Sequence, residues 1–497
     1  MNRHMVTIAK SIGTLLYVSI LLAPVLSTAI AQRSVTLDEC LRIAHSQAPA
    51  LIQAKRSYEI ARDNAEAASR SLRSQVDLTL AAPIYSDNTT PIYNPSSGLT
   101  DLLSARVTEF GPGLTIRQPV YWTGGTLSLN TSLYRRTQLT AAGESIQDYL
   151  GVGSITLDQP IFKTNEMKLS ERESEMNLEL ARAEYLTAWA TINYTIKSLF
   201  YNLYQNQQQL AIQEEQVAAS AANYQLASNK FKAGLIAEVD ALELEVDLAS
   251  ARTDLFDRER QLLAAERALQ AALGQSLTSP ITASLDSLSG DEMVVEPGEA
   301  VHRALEARAD ILSSRFDIER SENAMARTGN TRAINASLTG SFGASQDATS
   351  LSLISQNPYV NRGLTLLISV PIFDWGVHSL RMDAAEAGIE ISRTALAIKQ
   401  QEVEAEVRST IEQLESARKQ VEVAKKSVAV AEKAYGLSRS RFDAGKITSQ
   451  DLTLGQQRLT KARLSSLTAE VAVHLALADL TQKTLFDYEA GRPLKPE

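Results

Sequence analysis

Between Phe162 and Gly234 the chain runs for 71 residues without a proline or a glycine. The stretch is rich in Ala, Leu, Glu, Gln and Lys, all good helix formers. At about 1.5 Å per residue, one helix of that length reaches on the order of 100 Å. Such a rod cannot wrap around a globular core, so its apolar stripe must be buried against neighbouring rods. Gly234 interrupts it, and a second helical run, Ala237 to Leu273, returns beside it. A long helical hairpin with its tip at Gly234 is therefore the element around which any fold must be built.

The hairpin occurs twice. Adding 211 to the numbering carries Pro160-Ile161-Phe162 onto Pro371-Ile372-Phe373, and Phe231, Ala233, Gly234 and Ile236 onto Phe442, Ala444, Gly445 and Ile447. Tyr224, Asp240 and Arg252 fall on Tyr435, Asp451 and Arg463 in the same register. Alanine and leucine match by chance in helical sequence; Pro, Gly, Phe and Tyr held in one register do not, so the chain is internally duplicated. The leading helices also correspond, Ala44–Leu51 with Ala304–Ile311, but at an offset of 260. The first half thus carries 49 additional residues between its leading helix and Pro160. The implied organisation is a first half over 32–275, a connector over 276–297, a second half over 298–485 and a tail over 486–497.

Ahead of each long helix the hydrophobic period changes from 3.6 to 2. Thr36 to about Arg73 reads as helix with a break at Pro49, and Val76, Leu78, Leu80 and Ala82 then alternate with polar or small residues. A polar loop is expected over Tyr85–Gly98, and a second alternating run carries Leu114, Ile116, Val120 and Trp122. Thr123-Gly124-Gly125 signals a tight turn into a third run around Leu127–Leu133, and a fourth leads to Ile161. The second half offers two runs, Ile334–Phe342 and Leu364–Ile372. An apolar face backed by small polar residues suits a barrel wall between lipid and water, each run being close to the roughly 9–11 residues a tilted strand needs to span a bilayer. A soluble sandwich would alternate in the same way.

Export favours the barrel. Residues 1–31 read as a secretory signal: Arg3 and Lys10, an apolar run from Ile12 to Val25, and the small-residue site Ala29-Ile30-Ala31. Losing that segment takes the net charge from −9 to −11, a balance unsuited to nucleic acid. Cys40 is the only cysteine, which excludes an intramolecular disulfide framework and any multi-cysteine metal site. The five histidines, His4, His45, His302, His378 and His474, have no metal-ligand spacing. Gly111-Pro112-Gly113 lacks the Lys-Ser/Thr pair of a phosphate loop, and no Ser or Cys sits in a nucleophile elbow, so neither an enzyme nor a cofactor is expected. Trp122 and Trp375, near strand ends, fit an interfacial girdle; Trp189 reads as helix packing.

In combination, the export signal, the duplication, the two Pro-Ile-Phe junctions at Pro160 and Pro371, and the two Phe-x-Ala-Gly tips resemble the TolC-type outer-membrane efflux proteins. The resemblance implies a mixed α/β membrane protein. It would be a homotrimer whose strands share one transmembrane β-barrel and whose antiparallel coiled-coil helices continue it as a periplasmic barrel. It implies an outer-membrane exit duct whose hairpin tips, Gly234, Leu235, Gly445 and Lys446, meet a periplasmic adaptor and an inner-membrane transporter. It also implies a closed end gated by Asp240, Glu243 and Asp451. Phe442 stands where the family's pattern has a tyrosine, and Leu454 where it has an aspartate; Lys446 is the nearby cation that could substitute. Four candidate strands in the first half, against the usual two, leave the extra segment, about 85–135, either widening the barrel or forming a hairpin at its outer mouth. A structural coiled-coil surface protein or adhesin with a soluble β head is the competing expectation.

Overall fold

The structure, a computed structural model, describes residues 33–94, 98–139, 145–275, 280–285, 294–330 and 335–495. The expected signal segment lies outside them. The first half runs β1 (Arg33–Val35), α1 (Leu37–Gln47), α2 (Pro49–Ser71), β2 (Gln75–Asn94), β3 (Leu99–Val120), β4 (Gly125–Leu139), β5 (Ser145–Ile161), α3 (Glu166–Lys232) and α4 (Glu238–Ala272). The second runs β6 (Ile281–Ala283), α5 (Pro297–Ala307), α6 (Ala309–Gly329), β7 (Asn335–Ala348), β8 (Tyr359–Ser369), α7 (Val377–Asp443) and α8 (Ser449–Thr484), then the short pair β9 (Phe486–Asp487) and β10 (Arg492–Pro493).

The duplication is visible in the helices. α3 and α7 each span 67 residues and begin and end 211 positions apart. α1 and α5 are each 11 residues long and stand 260 apart. α1 gives way to α2 at Ala48 (ψ 120°), ahead of Pro49 at the first turn, and α5 gives way to α6 at Arg308 (ψ 135°). An extended residue before proline, and proline in the first turn, follow from the ring's clash and its missing N–H. At Arg308 no proline follows, and the guanidinium fixes the turn by pairing with Asp310 (2.8 Å) and reaching Glu406 on α7 (2.8 Å). Burial alone would raise the Asp310 carboxyl, but the Arg308 hydrogen bond and charge outweigh it and hold it below the usual range.

At the 260 offset β2 starts where β7 starts, and β5 and β8 each lead into a long helix. The additional residues are therefore the β3–β4 hairpin. It is not a flap at the mouth: all six strands form one antiparallel sheet in the order β2-β3-β4-β5-β7-β8. The β3–β4 turn lies at the helical end, where Asn165, the N-cap of α3, donates to the Tyr121 carbonyl (2.6 Å) and Thr123 donates to Gln159 (2.6 Å).

Other expectations change. The stretch expected as a loop from Tyr85 to Gly98 is strand as far as Asn94, because β3 continues to pair with it, Asn94 against Leu99. Trp122 lies in the turn after β3, not in the strand, and is exposed with Trp375 at the helical end of the sheet. β8 stops at Ser369, opposite Asn335, so Val370 to Phe373 leave the ladder despite their alternation. Within the connector Ile281–Ala283 pairs parallel with Arg33–Val35, and the tail forms the β9–β10 pair.

The sheet has two chemically distinct faces. Reading across the strands, Gln118, Leu127, Leu157, Gly340 and Leu364 share one register row, and Val76, Ile116, Leu129, Ile155 and Phe342 the next on that face. The opposite face carries Thr126, Asp158, Thr339 and Thr365, then Arg117, Ser128, Thr156 and Ser341. Among the described residues no layer covers the apolar side; every residue of β8 is exposed. The apolar packing lies instead among the helices, around Ile196, Phe200 and Leu269 in one cluster and Val407, Leu414 and Leu480 in another. Trp189 belongs to the first, stacked on His45.

Candidate functional site: the helical hairpin tips

Both hairpins turn by the same device. α3 ends at Ala233 and α7 at Ala444, followed by Gly234 and Gly445 with φ of +71° and +69°. In that conformation the N–H of Leu235 reaches back to the Lys230 carbonyl and that of Lys446 to the Arg441 carbonyl, both at 2.9 Å. This satisfies carbonyls that the helix end would orphan, and it needs a residue without a Cβ.

Beyond the turn the two tips differ. Thr448 caps α8: its hydroxyl accepts from the Asp451 N–H (3.2 Å), and the Asp451 carboxylate accepts from the Thr448 N–H (3.3 Å) and hydroxyl (2.9 Å). α4 starts at Ala237 with no side-chain cap. Asp240, the counterpart of Asp451, is thereby released from its own helix. Its carboxylate and that of Glu243 both face Ser449, at 3.2 and 2.8 Å from the hydroxyl, which has one proton to donate between them.

These contacts begin a polar seam joining the two hairpins. Thr453 donates to Asp247 (2.6 Å), and Gln456 accepts from Asn223 (2.8 Å) while donating to Ser220 (3.0 Å) and the Gln216 carbonyl (3.1 Å). The amide network is buried, and its groups are matched donor to acceptor, as burial requires. Nearest the turn, the Lys230 ammonium donates to the carbonyls of Phe442 and Asp443 (2.8 Å for the latter) and lies 4.7 Å over the Phe442 ring. A cation on the last carbonyls of a helix is favourably placed against its dipole.

Phe442 is 2 % exposed among Ala227, Ala241, Leu244 and Leu452. Without a hydroxyl it acts as an apolar plug. Asp240, Glu243 and Phe442 therefore meet on one seam, whereas Asp451 is turned onto its own cap and Lys446 is exposed at the tip. Next to the turns, the cation that spans the hairpins is Lys230, not Lys446; further along, Arg463 on α8 reaches Glu215 on α3. Lys230, Ser449, Asn223 and Gln456 were not among the sequence candidates. The signal for them was available: at the 211 offset they fall on Arg441, Glu238, Ala434 and Glu245, so the seam is marked by positions where the repeats disagree.

Among the described residues no His/Cys/Asp/Glu group could hold a metal ion, and no helix is long and apolar enough to cross a membrane. The outer membrane efflux protein family matches residues 125–275 and 300–484. The chain belongs to that family. Similar solved structures include the Campylobacter jejuni CmeC outer membrane channel (16% identity, 92% of this chain and 86% of that one, TM-score 0.66). The Vibrio cholerae outer membrane protein VceC matches at 14% identity over 92% and 97% of the two chains (TM-score 0.67). The open state of the Neisseria gonorrhoeae MtrE channel matches at 15% over 90% and 88% (TM-score 0.62). None of the curated proteins matches in sequence. The protein is an outer-membrane efflux duct with its sheet in the outer membrane and its helices in the periplasm.

Proposed function

We propose that three copies close into one conduit that receives cargo from an inner-membrane transporter through a periplasmic adaptor and passes it outward without spending energy itself. The observation that carries this is the open sheet. Its apolar face is uncovered, and its edge strands β2 and β8 run in opposite directions with unpaired margins. Unpaired backbone is not tolerated in lipid. Joining β8 of one copy antiparallel to β2 of the next closes the ring. Six strands from each of three protomers make an eighteen-stranded wall, about half again as wide as a twelve-stranded one and wide enough for an aqueous lumen.

At the other end the tips, Gly234-Leu235 and Gly445-Lys446, are the surface offered to the adaptor. The carboxylates of Asp240, Glu243 and Asp451, repeated by threefold symmetry, give the closed end a negative potential. Detergent-extracted protein should run as a heat-modifiable trimer and form pores in planar bilayers. Multivalent cations added from the tip side should block them. A stable water-soluble monomer without pore activity would refute the conduit. Block unchanged in Asp240→Ala/Asp451→Ala would refute the gate assignment alone.

A further inference from the structure

Lipid covers the apolar face of the sheet, and that face finishes differently at its two ends. At the helical end its strand residues are uncharged, with Gln118 and Gln159 standing where the apolar rows begin. At the outer end it is cationic. On β4 the series Leu127, Leu129, Leu133 runs into Arg135, and on β8 the series Ile368, Leu366, Leu364 runs into Arg362. On β3, Leu114 and Phe110 are followed on the same face by Arg106. All three arginines are exposed. Among the described side chains of this face the one acid is Asp87, which pairs with Arg106 at 2.9 Å. In a chain whose net charge is −9, three bases against one acid is a local reversal.

The level is that of the membrane boundary. Arg135 is the eleventh residue of β4, about the length at which a tilted strand has crossed the hydrocarbon. Beside it, Gly151 pairs with Leu133, and an added Cβ there would come within 2.8 Å of Ile354. The connection after β7 is thus folded against the outside of the sheet, with Leu351 and Leu353 exposed. Apolar side chains laid there are stable against hydrocarbon and not against water, which sets Arg135 just past the hydrocarbon's edge.

Both Arg135 and Arg362 keep donors free. Arg135 gives one N–H to Gln147 (2.9 Å) out of the five a guanidinium carries. Arg362 lies 5.6 Å over the Phe342 ring, a contact that uses the face of the guanidinium and leaves its edge open. Among the described residues neither pairs with a carboxylate. We propose that Arg135 and Arg362, with Arg106 in support, form a collar that binds the phosphate groups of anionic lipid in the outer leaflet. The guanidinium fork matches phosphate oxygens bidentately. The acyl chains of the same molecule lie on the apolar rows beneath, so a lipid meets both chemistries where free phosphate meets one. Arginines reaching only for water would serve equally at either end of the strands. Their restriction to the outer end points to a leaflet richer in negative charge. The collar needs the sheet in the outer membrane and is indifferent to how the copies assemble.

The test uses the full-length protein in phosphatidylcholine vesicles containing spin-labelled phosphatidic acid, a phosphate-headed lipid. Electron paramagnetic resonance should report phosphatidic acid preferred about twofold in the lipid shell, a roughly fivefold preference at each arginine diluted by neutral contacts. Arg135→Gln/Arg362→Gln should bring the preference close to parity, each single change should remove about half of the excess, and added salt should weaken it. Arg117→Gln removes the same charge from the opposite face of the sheet and should change nothing. Inorganic phosphate at matched ionic strength should not displace the lipid; displacement would mean an anion site with no lipid role and would overturn the proposal. So would an unchanged preference in Arg135→Gln/Arg362→Gln, or an equal loss in Arg117→Gln. A protein that does not enter the vesicles would refute the barrel itself.

Discussion

The two hairpins both start with a 67-residue helix and turn on the same glycine, yet one tip is packed and capped where the other is open. Phe442 is a buried plug and Phe231 is 40 % exposed; Thr448 caps α8 and Ala237 leaves α4 uncapped. The duplication preserved what backbone geometry demands and let go of what each surface meets. Helix length and the left-handed turn depend on the chain itself, so both copies keep them. Side-chain chemistry depends on the neighbour, and within one chain the two hairpins do not have the same neighbours.

The largest effect should come from the plug. Phe442→Ala empties a fully packed site and should cost about 3–5 kcal/mol, seen as faster hydrogen exchange at both tips. Phe231→Ala, made for contrast, should cost well under half of that. Equal losses would mean that the α3–α4 tip is as enclosed as the other, and that the asymmetry drawn above is mistaken.

The turns should instead respond alike. An added Cβ at Gly234 or Gly445 would meet nothing within 4 Å, so Gly→Ala at either should cost only the left-handed backbone term, about 1–2 kcal/mol. A difference beyond experimental error in thermal midpoints would expose a contact made by one tip alone. The caps should separate them again. Thr448→Ala should lose about 1 kcal/mol. Ala237→Thr should gain less than that, because Asp240 can bond the new hydroxyl only by leaving Ser449.

Much of the fold was legible because it follows from local rules. The proline- and glycine-free run gave the first rod, the repeat offset gave the second and both tips, and alternation gave most strands. What failed depended on partners distant in sequence. Residues 85–94 contain Asp87, Asn88 and Pro91 and look like a loop; they are strand because β3 lies alongside. Val370 to Ile372 alternate properly and are not strand, because the ladder ends at the Asn335–Ser369 pair. At the site, Asp240 and Glu243 were singled out by the family resemblance. Asn223, Ser449 and Gln456 were not, since a neutral polar residue on a helix looks the same whether it meets water or another amide.

The smallest expected effect tests the same contrast far from the tips. His474 packs in the second hairpin, stacked on Tyr201 at 5.1 Å, where the first hairpin has exposed Leu263. Burial pushes the imidazole below its ordinary value; Lys197 adds to this, and Glu489 and Glu470 oppose it. The folded protein therefore holds His474 neutral, and its contribution is intact above the unfolded value of about 6.5 and lost as pH falls from there through the lower folded value. His474→Leu, which makes the two hairpins alike at this position, should flatten the fall in thermal midpoint between about pH 6.5 and 5. If the variant keeps the slope of the original, the imidazole is hydrated in the assembled protein, and burial between helices does not set its charge.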